Sequence, residues 1–212
     1  MKMESKLKLS TEDMFILIFG VAFFLASWLV VNVPIGESVT WVSALFIVIL
    51  ALPSFYYVLR WSGIKRGLVI LGFFAVFPII IEAIGISTGL PYGPFYYTDQ
   101  MGFKILGLVP WSVAFAFAPL TLGSVTLANR FTSDARLAIP LSALLLVAVD
   151  LVLDPAAVVL SIWVWVNPGP YYGIPISNYT GWFITALVAS VIMHLLTTRN
   201  VSTTADVPAR VA

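Results

Sequence analysis

Long apolar runs alternate with short polar connections along the chain. Mainly apolar stretches cover residues 14–32, 39–59, 67–87, 105–128, 137–154 and 179–197, and a helix needs roughly 20 such residues to cross the hydrocarbon core of a bilayer. The pattern therefore predicts an all-α membrane protein, a bundle of about six transmembrane helices. A further apolar stretch, Pro155 to Val166, is too short to cross alone and follows a helix-breaking proline. It reads as a kinked continuation or a re-entrant piece, with seven spans as the alternative count. Residues 1–12 are polar and lead into the first run with no small-residue cleavage site behind it, so a retained first span is expected rather than a signal peptide. Residues 1–198 read as a single transmembrane helical domain and residues 199–212 as a polar, disordered C-terminal tail.

Charge orients the bundle. A cytoplasmic N-terminus places Lys2, Lys6, Lys8, Arg60, Lys65, Arg66, Arg130, Arg136, Arg199 and Arg210 inside and leaves Lys104 outside, the bias of the positive-inside rule. Two connections then fall on the outer side: Gly85 to Lys104 (GISTGLPYGPFYYTDQMGFK), and Pro155 to Asn178, which ends WVWVNPGPYYGIPISN. Proline and glycine fix turns in both. Tyrosine and tryptophan suit a membrane interface, so an aromatic belt is the simplest account of any one ring. The Gly85-x-x-x-Gly89 spacing marks the unwinding end of the third span, and the Asn178-Tyr-Thr180 sequon falls on the outer side.

Composition narrows the chemistry. With 60% hydrophobic and 10% charged residues, most of the chain has lipid as its solvent, and nothing points to a nucleic-acid partner. The absence of cysteine excludes disulfides, thiolate metal sites and cysteine nucleophiles, and the single histidine, His194, leaves little for an imidazole metal centre. Three acids, Glu82, Asp150 and Asp154, fall within the apolar runs. A charge at the bilayer centre costs about 2.5–3.5 kcal/mol on insertion scales, so such residues face a protein interior or a wet cavity. At 1.5 Å per residue Glu82 lies roughly 22 Å from the inner end of its span, at a depth similar to that of Asp150 and Asp154. Those two share one helix face at i, i+4, and like charges so close favour one of the pair staying protonated. Asp99, in a loop, reads as a turn residue or a solvated group.

Other uses of intramembrane carboxyls fit less well. A retinal pump needs a lysine within a span, and none is present. Asp150-x-x-x-Asp154 matches one aspartate-rich diphosphate motif, but a second motif and a basic clamp are missing. A proton-coupled transporter is usually built from inverted repeats around a midplane site, and no repeat is detectable.

The strings Glu82-Ala-Ile-Gly85 with TGLPYGPFYYTD, Asp150-Leu-Val-Leu-Asp154-Pro155, and WVWVNPGPYYGIPISNYTGW ending at Trp182 together resemble the CruF-type carotenoid hydratases. These enzymes act on bisanhydrobacterioruberin in halophilic archaea and on γ-carotene or lycopene ends in bacteria. The resemblance covers about half of the chain, in the family's order. It departs from the family in length and in the fourth span, where a tryptophan deeper than Trp111 is expected.

The resemblance implies hydration of the terminal C1=C2 double bond of a linear carotenoid, without metal or redox cofactor. That reaction needs a proton donor, stabilisation of a tertiary cation and a base for the incoming water. Glu82, Asp150 and Asp154 are the candidates, with acid and base left undivided. Tyr92, Tyr96, Tyr97, Trp163, Trp165, Tyr171, Tyr172 and Trp182 are expected to line the pocket, where aromatic faces stabilise a cation, and Asn178 to hold the water. The expected partners are the membrane, a linear carotenoid entering laterally from it, and other carotenoid biosynthesis enzymes. A prokaryotic, archaeal cell membrane is the expected location. The rival readings are a lycopene-type cyclase, which starts with the same protonation, and a carotenoid-binding or transport protein without turnover.

Overall fold

The computed structural model describes residues 10–32 and 41–198; the expected C-terminal tail at 199–212 lies outside them. The chain divides into two units, Met1–Val39 and Thr40–Ala212. The first contains α1 (Thr11–Asn32). Its start is capped reciprocally: the Asp13 N–H donates to the Ser10 hydroxyl at 3.1 Å and the Ser10 N–H donates to the Asp13 carboxylate at 2.9 Å, which satisfies donors that have no partner within the helix.

The second unit holds α2 (Trp41–Ser62), α3 (Ile64–Thr88), α4 (Val113–Phe131), α5 (Ala135–Val159) and α6 (Ile176–Thr198). Among the described residues, four stretches are long and apolar enough to cross a bilayer: Ala44–Ser62, Ile64–Thr88, Ala135–Val159 and Ile176–Leu196. The apolar part of α1, Asp13–Trp28, is shorter, and α4 is diluted by Thr121, Ser124, Thr126 and Asn129. Large apolar side chains such as Val76, Ile80, Val152 and Val159 lie exposed on the helices, while Glu82, Asp150 and Asp154 are buried. That inversion is what a lipid solvent selects.

α5 packs against α4 and α6, and α3 packs against α2 and α4. Val58, Ile70, Phe74, Phe117 and Met193 form the apolar core between them. α3 ends where Gly89 takes the left-handed conformation (φ 76°) and its N–H donates to the Gly85 carbonyl, a C-cap that L side chains adopt only with strain.

Beyond α3 the chain forms strand β1 (Phe95–Tyr97), a single 3-10 turn (Asp99–Met101), and the strands β2 (Lys104–Ile105) and β3 (Val109–Pro110). The start expected for the fourth span, residue 105, is thereby corrected, because residues 104–110 are a hairpin and α4 begins at Val113. Its tight turn uses two residues of positive φ, Leu106 (53°) and Gly107 (71°), and a helix cannot pass through them. The stretch from Pro155 is a continuation of α5 as far as Val159, followed by strand β4 (Trp163–Trp165); no seventh helix occurs among the described residues.

Candidate active site

Strands β1 and β4 come from the two loops and pair antiparallel, with Phe95 opposite Trp165, Tyr96 opposite Val164 and Tyr97 opposite Trp163. Side chains alternate across a strand, so one face of this ribbon carries Phe95, Tyr97, Trp163 and Trp165. Ring centroids are 5.1 Å apart for Phe95 and Trp165 and 5.8 Å apart for Tyr97 and Trp163, the cross-strand aromatic contacts that hold a short ribbon together. Tyr96 points the other way and is 50% exposed.

The inward face of the ribbon roofs a cavity of about 330 Å³. Glu82 from α3, Asp150 and Asp154 from α5, and Asn178 from the first turn of α6 all line it. They gather because α3 and α5 end, and α6 begins, at the same end of the bundle. The remaining wall is apolar and aromatic, with Phe117, Leu146 and Trp182 among its members, and among the described residues none that lines it is basic.

Each carboxyl has a built partner. The Tyr97 hydroxyl donates to Glu82 Oε2. Burial, with the Glu82 charge beside it, holds that hydroxyl well above the ordinary phenol range, so it remains a donor. Asn178 Nδ2 donates to Asp154 Oδ2 and, at 3.2 Å, to Asp150 Oδ2, and the Trp163 side chain also hydrogen-bonds Asp154. Asn178 is only 1% exposed; a buried amide engaged by two carboxyls leaves no room for the glycan its sequon suggests.

The ribbon is tied down from outside. Lys104 Nζ donates to the Tyr97 carbonyl at 2.8 Å and pairs with Asp99 at 2.8 Å. The Lys104 hydrogen bond and charge hold the Asp99 carboxyl, which is fully exposed in its loop, below its usual range.

Tyr92 lines the cavity but also wedges the helices. Its hydroxyl hydrogen-bonds Thr185 at 2.8 Å, and its ring lies between Gly85 of α3 and Gly181 of α6, where an added Cβ would stand 2.7 Å from ring carbons on either side. No real Cβ approaches so closely, so both glycines are places where a ring replaces a side chain. Gly181→Ala is accordingly expected to cost about 1–3 kcal/mol by overpacking, read as a lower unfolding midpoint of the detergent-solubilised protein; an unchanged midpoint would mean that the ring shifts freely.

Of the residues expected from sequence, Glu82, Asp150, Asp154, Tyr92, Tyr97, Trp163, Trp165, Asn178 and Trp182 meet at this cavity. Tyr96, Tyr171 and Tyr172 do not line it. Tyr171 is 41% exposed and donates to the Leu151 carbonyl at 3.2 Å, and Tyr172 is 62% exposed against the Tyr171 ring. Trp111 precedes α4 and packs on Phe115 instead of the cavity. Sequence reasoning missed Phe95, Met101 and Phe117. Strand alternation would have paired Phe95 with Tyr97, but Met101 and Phe117 carry no mark that separates them from core residues.

Comparison with known proteins gives the family. Residues 39–211 match the family described as "Carotenoid biosynthesis protein". Over 115 residues the chain is 41% identical to the bisanhydrobacterioruberin hydratase of Haloarcula japonica, an alignment that covers 51% of this chain and 38% of that protein. The chain thus matches well under half the length of this relative. No solved structure matches. A family match over most of the chain, around an acidic cavity among membrane helices, makes this protein a membrane-embedded member of the carotenoid biosynthesis protein family.

Proposed function

We propose that the chain hydrates the terminal C1=C2 double bond of a linear carotenoid, giving a tertiary alcohol. One observation carries this reading: three carboxyl groups from two helices meet in one apolar, aromatic-walled cavity with no basic side chain among the described residues that line it. The relative's name, a hydratase, supports the same reaction class.

The hydrogen bonds divide the work. Asp154 receives both Asn178 and Trp163, whereas Asp150 receives only the longer Asn178 contact. Donors favour the ionised form of a carboxyl, so Asp154 is the base and Asp150 carries the proton. Asp150 gives that proton to C2 and the double-bond electrons form the new C–H bond, leaving a cation at C1. Phe95, Trp163 and Trp165 face it with their ring quadrupoles, and Glu82, oriented by Tyr97, adds negative charge. Water then forms the C–O bond at C1 and loses one proton to Asp154. Proton return from Asp154 to Asp150, one helical turn away, closes the cycle with one water consumed. With the charge bias read from the sequence, the cavity lies towards the outer leaflet of a cell membrane.

The test is product analysis by liquid chromatography and mass spectrometry in cells that accumulate lycopene or bisanhydrobacterioruberin. Expression of the chain is expected to give products heavier by one or two waters. Products of unchanged mass but altered retention would mean cyclisation, and unaltered substrate would mean binding without turnover; either result overturns the hydratase reading.

A further inference from the structure

A linear carotenoid is a rod about as long as the hydrocarbon core of a bilayer is thick, about 30 Å. A cavity of about 330 Å³ holds one end of it. Conjugation keeps the rest straight, so the polyene must leave the cavity along a cleft instead of folding inside it. A second hollow, of about 580 Å³, lies between α4 and α5. Pro119, Leu120, Val149 and Leu153 line both spaces, so the hollow abuts the cavity that holds the carboxyls. From Pro119 to Leu127 the hollow follows α4 for about 12 Å at 1.5 Å per residue, and its lining is apolar except for Ser124. Its rim is open to lipid, where Val152 is 75% exposed.

Gly123 lines this hollow, and a Cβ built there would meet nothing within 4 Å. The glycine is therefore not demanded by helix packing. What its missing side chain leaves is width.

We propose that the groove between α4 and α5 holds the polyene of the substrate whose end reacts among the carboxyls, and that Gly123 sets the width of that groove. The assignment rests on the hydratase reading for the reacting end, and the four side chains that the groove shares with the carboxyl cavity select this occupant over a lipid acyl chain. A methyl at 123 would meet no neighbour, and a longer side chain there narrows the groove that Gly123 lines.

The experiment compares wild type with Gly123→Ala, Gly123→Leu, Gly123→Phe and Val188→Phe in cells that accumulate a linear carotenoid. It reads hydrated product by mass spectrometry and bound polyene by the absorbance of the purified protein. Product and bound pigment are expected to fall together as the side chain at 123 grows, with Gly123→Phe about tenfold or more below wild type. Val188 is 45% exposed on α6 and lines neither space, so Val188→Phe, the same bulk elsewhere on the lipid face, keeps the wild-type level. Wild-type product and pigment with Gly123→Phe would overturn the groove assignment and leave hydration standing. Wild type that binds polyene, loses it in Gly123→Phe and makes no hydrated product would overturn hydration and uphold the groove. Wild type that neither binds nor converts would overturn both.

Discussion

Asp150→Asn is expected to lower carotenoid hydration by about 10²–10⁴-fold, the range for loss of a positioned acid or base, while the protein still folds. The substitution keeps the shape of the side chain, and the new amide oxygen still accepts from Asn178 at the 3.2 Å position. What disappears is an acidic proton facing an apolar cavity, where water does not supply a substitute. The measurement is the ratio of hydrated to unreacted carotenoid at matched protein level, with the unfolding midpoint as a check on folding. Loss of turnover with an unchanged midpoint assigns the proton to Asp150. Retained turnover would exclude Asp150 as the acid and move that role to Glu82, the remaining carboxyl of the cavity beside the base Asp154.

Asn178→Leu is expected to damage both stability and turnover. Asn178 joins α6 to two carboxyls of α5 through one buried amide, and leucine has similar bulk but no donor. Two carboxyls on one helix face would then lose their shared partner in a cavity walled by hydrocarbon. Leaving a buried polar group unsatisfied costs about 1–3 kcal/mol, more for a charged one. A lower unfolding midpoint in detergent, with hydrated product reduced at matched protein level, is the expected result. An unchanged midpoint would show that the amide does not hold the pair, and the division into acid and base that rests on it would fall.

Much of the site was legible in the sequence because its acids stand out against their surroundings. Glu82, Asp150 and Asp154 interrupt apolar runs, and the cost of a charge in lipid turns such an interruption into an inward-facing residue; all three are 6% exposed or less. The pairing of Asp150 with Asp154 followed from helical spacing alone. The aromatics were less legible. Tyr96 and Tyr97 are neighbours of the same type, yet one faces away and the other hydrogen-bonds Glu82. The difference is strand alternation, and it becomes visible only once residues 95–97 are known to be a strand. Tyr171 and Tyr172 belong to the Gly-, Pro- and aromatic-rich connection that leads into Asn178 on α6, but the connection turns them outward before α6 begins. Residues 105–112 read as the start of a span because they are apolar; positive φ at Leu106 and Gly107 turns residues 104–110 into a hairpin.

The sequence by itself determined the solvent, the helices and the depth of the acids, because hydropathy and helical period are properties of a segment that need no partner. The tertiary structure decided which loop residues face the carboxyls, since the β1–β4 ribbon joins the segments that follow α3 and α5 and local pattern does not encode that pairing. It also decided that one amide from α6 would serve both aspartates of α5, and that a glycine in α4 would face empty space. Each depends on how helices distant along the chain pack, which is set by the sum of many apolar contacts rather than by any residue's own neighbours.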